Sequence, residues 1–312
     1  MTDTMVRALK EALDYTRLYK GQTFVVKIGG EILDRPELLD GIAVQLALLD
    51  SLSIRLAVVH GGGVQATRLA ERLGVPVRMQ SGRRVTTPEM LEVTKMVYAG
   101  SLSVDLLAAL RRQQVRAVGL SGVDAGLVSA RRRPPSPPPG EDGGEPVDWG
   151  EVGDIEAVDR SVLDALFDRG MVPVISPIAA DGHGRPLNVN ADGLAVEVAK
   201  SLGAAKLLIL TTAPGLLRDP GDPASLVAFA DPDDLEKLVA EGAVRGGMRP
   251  KVAACLAAVR GGVRRTHILD GRVPDSLLLE LFTGAGCGTM IVGRREKRDY
   301  SEHELAHGGN GA

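Results

Sequence analysis

Short runs of β-branched and aliphatic residues recur along the chain, separated by longer amphipathic stretches. TFVVKI (23–28), RLAVVH (55–60), VRAVGL (115–120), VPVISPI (172–178), KLLILT (206–211), RTHILD (265–270) and TMIV (289–292) are nearly continuous apolar segments, the pattern of strands covered on both faces. Helical patterns lie between most of them, among them PELLDGIAVQLALLDSL, TPEMLEVTKMVYAGSLSVDLLAALRRQ, ADGLAVEVAKSLGA and PKVAACLAAVRGG. Pro88, Pro232 and Pro250 follow Thr87, Asp231 and Arg249 and mark first helical positions. The alternation predicts an α/β fold: a mostly parallel central sheet with helices on both faces. Ahead of the first strand, Val6, Leu9 and Leu13 form an apolar stripe with Tyr15 and Tyr19 nearby, so the N-terminus reads as an amphipathic helix. That stripe must be buried outside the alternating core, another subunit being one place for it. The segment 131–150, RRRPPSPPPGEDGGEPVDWG, is too rich in Pro and Gly to pack well and reads as an exposed loop, with no role assigned to its three arginines.

Composition narrows the function. With 312 residues, 44% of them hydrophobic, the chain can build one large domain or two lobes. A net charge of −3 from 37 basic and 40 acidic residues gives no electrostatic footprint for nucleic acid or an anionic membrane. No uninterrupted apolar run approaches the ~20 residues of a membrane span, and the first residues do not resemble a signal peptide. Cys255 and Cys287 lack metal-ligand spacing, which predicts two reduced thiols and a cytoplasmic protein.

Four places carry chemistry. In VVKIGGEIL, Lys27 interrupts a buried strand just before Gly29 and Gly30; a lysine there needs an anion or a way out to solvent. VVHGGGVQATRLAERLG sets Gly61, Gly62 and Gly63 between a strand and a helix, a turn that lets backbone amides and the helix dipole meet an anion. Gly61, Gly63 and Ala66 also satisfy G-x-G-x-x-A, but the acidic residue expected about 20 positions on is replaced by the basic stretch SGRRVTT. His60, at the same strand end, reads as a structural hydrogen-bonding residue. In LNVNADGLAVEVA, Asn188, Asn190 and Asp192 would share one face if the segment is extended, while Asn190 or Asp192 could equally cap the helix. In RGGMRPKVAACLAAV, Lys251 falls in the first turn of a helix, where a cation opposes the dipole unless an anion binds. Two lysines, a carboxylate and a glycine turn suit phosphoryl transfer, which needs positioning and charge neutralisation more than a covalent nucleophile. A carboxylate acceptor is already ionised at pH 7 and needs no base.

These residues sit in a longer match. From ALDYTRLYKGQTFVVKIGG through VVHGGG, SGRRVTTPEMLEVTKMVYAG, AVGLSGVDAGL, PVDWGEVGDI, PLNVNAD and GGMRPKVAACLAAVRGGV to THILDGRVPDSLLLELFTGAGCGTMI, the chain resembles N-acetylglutamate kinases of the amino acid kinase fold. The resemblance implies a three-layer αβα sandwich and ATP-dependent phosphorylation, with Mg²⁺, of the side-chain carboxylate of N-acetyl-L-glutamate in arginine biosynthesis. It implies that Lys27 and Lys251 flank the transferring phosphoryl group, Asp192 orients both, and Gly29, Gly30, Gly62 and Gly63 surround it. Arg84 would grip the α-carboxylate and Asn188 the acetylated amino acid, with Thr211, Thr212, Gly247 and Met248 near the nucleotide. The implied organisation is an interaction helix over 1–21, an acyl-amino-acid lobe over 22–185, a nucleotide lobe over 186–300 and a polar tail over 301–312. Tyr15, Glu280 and Gly286 match positions that line an inhibitory L-arginine site in family members whose N-terminal helix interlaces dimers into hexamers.

The chain departs from the family pattern in several places. It has KIGG for K-Y-G-G, Val64 for a common proline, Thr212 for an aspartate, Ser101 and Ser103 for a lysine and an asparagine, and Val123 for a frequent lysine. Three other readings stay open at this point: a kinase for N-acetylaminoadipate or N-succinylglutamate, a non-catalytic arginine sensor, and an NADP-dependent oxidoreductase.

Overall fold

The computed structural model describes residues 2–81, 83–138, 144–284 and 286–293, so the polar tail 301–312 lies outside the described residues. Its strands are β1 (Thr23–Ile28), β2 (Arg55–His60), β3 (Arg78–Gln80), β4 (Arg83–Val85), β5 (Ala117–Ser121), β6 (Val128–Arg132), β7 (Gly153–Val158), β8 (Val172–Ser176), β9 (Ile178–Ala180), β10 (Pro186–Asn188), β11 (Lys206–Thr211), β12 (Phe229–Ala230), β13 (Arg265–Asp270) and β14 (Thr289–Val292). Its helices are α1 (Thr2–Tyr19), α2 (Gly30–Leu33), α3 (Pro36–Ser51), α4 (Gly63–Arg72), α5 (Pro88–Lys95), α6 (Ser103–Arg112), α7 (Ser161–Asp168), α8 (Ala191–Ser201), α9 (Pro232–Ala240), α10 (Met248–Arg260) and α11 (Ser276–Phe282).

Eight strands form the main sheet in the order β12-β14-β13-β11-β1-β2-β8-β5. All neighbours pair in parallel except β13 with β14. Alternate residues of the central strands feed two separate cores. Phe24, Val26 and Ile28 of β1 pack with Leu46 of α3 and Leu106 of α6 on one face. Val25 joins Leu194 of α8 and Cys255 of α10 on the other. Two helical layers around a sheet make the αβα sandwich that alternation predicts.

The position of β1 matters most. It lies between β2 and β11, with Lys27 in register with Val59 on one side and Ile209 on the other. The chain leaves β1 for β2 in one direction and reaches β11 in the other, a topological switch point. Ligands of open α/β sheets bind outside the carboxyl ends of strands at such a point. There β1 runs into Gly29, β2 into Gly61 and β11 into Thr212.

The structure corrects several expectations. Segment 131–150 is more than an exposed loop: Arg131 and Arg132 end β6, Arg133 pairs with Asp154, and Trp149 is buried against Val85 and Val152. β6 belongs to a second, four-stranded sheet ordered β10-β9-β6-β7. The β3–β4 hairpin is tied to this region by a bridge between Thr86 and Gly150. Gly150 has φ +72°, and a Cβ there would fall 2.1 Å from the Thr86 carbonyl oxygen, so only glycine fits. α10 starts two residues before Pro250, which sits in its first turn without loss because that N–H needs no helical partner. α5 and α6 are one continuous helix joined by a π-helical stretch over Met96–Leu102. By length and composition Pro88–Arg112 could cross a membrane, but Met90, Leu91, Val93, Leu106, Ala109 and Leu110 are buried inside the fold.

α1 packs by its C-terminal end. Tyr19 is buried, stacked near Tyr15 and edge-on to Phe24 and Phe282. Val6 and Leu13 of the predicted stripe are 43% and 49% exposed, whereas the side chain of Leu9 lies outside the described ones.

Candidate functional site

Lys27 projects from the carboxyl end of β1 and remains 6% exposed. Its Nζ lies 2.8 Å from Asp192 Oδ1. Lys251 approaches the other oxygen of the same carboxylate at 3.9 Å and donates a long hydrogen bond, 3.4 Å, to the Gly247 carbonyl. Three charged side chains distant in sequence therefore share one point. Burial pushes the Asp192 carboxyl up, but the charges of Lys27 and Lys251 and the Lys27 hydrogen bond outweigh it and hold the carboxyl below its ordinary range. Lys251 moves down, because burial and the like charge of Lys27 exceed the pull of Asp192. The cluster carries a net positive charge, the setting in which an anion is stabilised.

The route to this cluster differs from the extended reading of LNVNAD. Only Asn188 lies in a strand; Asn190 is the N-cap of α8, accepting from Gly193 N, and Asp192 is the second residue of that helix. An N-cap residue must present its oxygen to the first-turn amides. That turns Asp192 to the opposite side, towards β1. Asn188 Nδ2 donates to Thr86 Oγ1 at 3.1 Å.

The glycines close the turn on both sides. Gly29 N donates to the Leu210 carbonyl, and Gly30 lies so near Gly62 that a Cβ would come within 2.9 Å of the Gly62 backbone. Gly62 is extended and N-caps α4; a Cβ there would meet Leu102 Cδ1 at 2.4 Å and the Tyr98 ring at 2.7 Å. Close packing of the Leu102 and Tyr98 side chains, not a left-handed dihedral, demands glycine here. Gly63 begins α4, and its carbonyl accepts from Arg84 Nη2 at 2.6 Å, with Thr67 Oγ1 a second acceptor. Arg84 Nε is buried with no hydrogen-bond partner among the described residues, a donor still available to a ligand. His60 matches its structural reading: its Nδ1 donates to the Gly61 carbonyl, and burial lowers its pKa to about 4.

A cavity of about 580 Å³ opens beside the cluster, lined by Gly61, Gly62, Gly63, Arg84, Asn188 and Asp192 together with Arg83, Tyr98, Arg133 and Trp149. Thr211, Thr212, Gly247 and Met248 do not line it; they lie at the ends of β11 and α10. Thr212 Oγ1 donates to Glu31 Oε2 at 2.7 Å, so the residue that departs from the family pattern ties β11 to α2. Among the described residues no group of three or more His, Cys, Asp or Glu side chains could hold a metal ion.

A second cavity, about 330 Å³, gathers Tyr15, Glu280 and Gly286 from α1, α11 and the turn before β14. Sequence reasoning missed its other charged members. His267 Nδ1 donates to Glu280 Oε1 at 2.6 Å, and its Nε2 lies 3.3 Å from Lys206 Nζ, which leaves Nε2 as the acceptor. Burial and the Lys206 charge lower the His267 pKa to about 4 despite Glu280. Glu280 also accepts from the Cys287 and Gly288 amides; burial raises its carboxyl, and His267 and these amides bring it below the ordinary range. A polar residue in each of the apolar runs KLLILT and RTHILD was the available signal.

Comparison with known proteins identifies the family. A family model described as the amino acid kinase family matches residues 22–270. An acetylglutamate kinase from Myxococcus xanthus (strain DK1622) is 46% identical over 287 residues, covering 91% of this chain and 93% of its own. Among solved structures, an N-acetylglutamate synthase from Neisseria gonorrhoeae in complex with coenzyme A and N-acetyl-glutamate superposes with a TM-score of 0.79 at 30% identity. The match covers 92% of this chain but 63% of the synthase, a longer protein. The same synthase in complex with coenzyme A and L-arginine gives a TM-score of 0.77 at 27% identity, over 92% of this chain and 65% of that one. With a family model matching most of its length and a curated relative at this identity, the chain belongs to the amino acid kinase family.

Proposed function

We propose that this protein transfers the γ-phosphoryl group of ATP to the side-chain carboxylate of N-acetyl-L-glutamate, forming N-acetyl-L-glutamyl 5-phosphate in arginine biosynthesis. The observation that carries the reading is the buried Lys27–Asp192–Lys251 cluster, net positive, at the switch point of the sheet beside a glycine turn. The acetylglutamate kinase relatives favour this acid over longer or differently acylated ones.

The chemistry follows from the residues. A side-chain carboxylate oxygen attacks the γ-phosphorus, the new C–O–P bond forms, and the bond to the β-phosphate oxygen breaks to release ADP. No proton moves, because the nucleophile is ionised at neutral pH. Lys27 and Lys251 neutralise charge on the transferring oxygens, the amides of Gly62 and Gly63 donate to them, and Asp192 keeps the two ammonium groups from separating. Arg84 takes the α-carboxylate and Asn188 the acylated amino group. Mg²⁺ would accompany ATP and neutralise phosphate charge, an ion that takes most of its ligands from phosphate and water oxygens.

Residues 22–185, joined by Asn188, then hold the acyl amino acid and residues 186–300 the nucleotide, near Thr211, Thr212, Gly247 and Met248. The second cavity, with Tyr15, Glu280 and Gly286, is the place for inhibitory L-arginine: Glu280 is an anion facing a polar pocket, and the related synthase was solved with that amino acid. The exposed Val6 and Leu13 on α1 supply the contact for assembling dimers into hexamers. A cytoplasmic location fits the biosynthetic role proposed here.

ADP release coupled to NADH oxidation tests the reading. It is expected to require N-acetyl-L-glutamate and to fall about a hundredfold or more in Lys27→Ala, with the circular dichroism unchanged. ADP release that ignores the acyl amino acid, or normal turnover by the variant, contradicts it.

A further inference from the structure

Arg83 and Arg84 are neighbours on β4, and successive strand side chains leave on opposite faces. Arg84 turns under α4 to the Gly63 carbonyl and Thr67. Arg83 therefore reaches the other wall. There it lines the large cavity with Arg133 and Trp149, and the three meet again with Asp154 around an adjoining space of about 180 Å³. Arg133 holds Asp154 through Nε and Nη2 at 2.8 and 2.6 Å. One carboxylate thus serves two guanidinium groups. The carboxylates that line the large cavity give no relief, since Asp192 is held by Lys27 and Lys251 and Glu197 by Lys200.

The substrate geometry proposed above leaves this wall a definite task. With the side-chain carboxylate assigned to Lys27 and the α-carboxylate to Arg84, the lining left for the α-nitrogen and its substituent includes Asn188, Arg83, Arg133 and Trp149. In an N-acyl amino acid that nitrogen is a neutral amide, and the acyl carbonyl oxygen can accept from a guanidinium. In the free amino acid it is an ammonium, which two guanidinium groups repel. We infer that Arg83 and Arg133 are specificity-determining residues that reject free glutamate by like charge and accept its N-acyl form. The inference rests on the function proposed above.

Two competitive inhibitors isolate the charge. L-Glutamate carries the ammonium, and glutarate is the same dicarboxylate without it. Their inhibition constants are measured against N-acetyl-L-glutamate in the unmodified protein, Arg83→Gln and Arg83→Glu. The ratio of the L-glutamate constant to the glutarate constant is expected to fall in that order, roughly fivefold per unit of charge at a separation near 4 Å in a water-like medium. The differences are expected to shrink as salt rises. A ratio that is equal in all three proteins, or that falls equally for Gln and Glu, overturns the inference. An unmodified protein without turnover of N-acetyl-L-glutamate overturns the functional reading instead.

Discussion

Lys27 poses its question in the sequence and answers it in the structure. Its strand is buried on both sides, so its ammonium has one way out, past the strand end, where Asp192 meets it at 2.8 Å. If Asp192 serves to hold two cations together, Asp192→Asn removes the charge and keeps the shape. That variant is expected to lose about a hundredfold or more in kcat with a smaller change in KM; steady-state kinetics with both substrates checks it. The two lysines, the carboxylate and the glycines were legible because buried charge and glycine at strand ends are unusual by type alone. Their supports were not. Thr67 under Arg84, Thr86 beside Asn188 and Glu31 against Thr212 are ordinary residues whose role exists only through partners far along the chain.

At the scale of elements, strands buried on both faces were readable from their continuous apolar runs, and the helices from period and caps. The second sheet was not. β9 and β10 have three residues each, β6 and β7 mix buried and exposed positions, and β6 runs into a Pro-rich segment whose composition reads as loop. The π-helical stretch was equally hidden, because its hydrogen bonds reach only one residue further than those of an α-helix. It carries Tyr98 and Leu102, which pack on Gly62. Gly62→Ala is expected to cost about 1–3 kcal/mol and to raise KM, since the methyl group must displace Tyr98, Leu102 or the start of α4. Urea unfolding and kinetics together test this, and an unchanged midpoint would contradict it. For α1, removal of residues 1–20 is expected to yield dimers that L-arginine no longer inhibits. Light scattering and activity with added arginine check both parts, and a truncated hexamer that stays sensitive contradicts them.

On the scale of the whole molecule, a single continuous sheet spans both halves of the proposed site, because β1 adjoins β2 on one side and β11 on the other. The fold class followed from alternation, but the strand order did not, since local pattern says nothing about which side of β1 the later strands join. Two histidines buried in this body also set its response to acid. The pKa values of His60 and His267 drop from 6.5 in the open chain to about 4 when folded. The unfolded chain therefore binds more protons between pH 6.5 and 4. Their contribution is complete above about pH 6.5 and is lost as pH falls through that window. The expected loss is roughly 2 kcal/mol per histidine at pH 5. Urea midpoints at pH 7.5 and 5 test the sign, and equal midpoints would contradict it.

The central claim is the reaction itself, and its product has a distinctive reactivity. An acyl phosphate is captured by hydroxylamine as a hydroxamate, whereas ordinary ATP hydrolysis gives none. Purified protein with ATP, Mg²⁺ and N-acetyl-L-glutamate is predicted to form one hydroxamate for each ADP. ADP without hydroxamate, or hydroxamate formed equally well without this acid, would contradict the account.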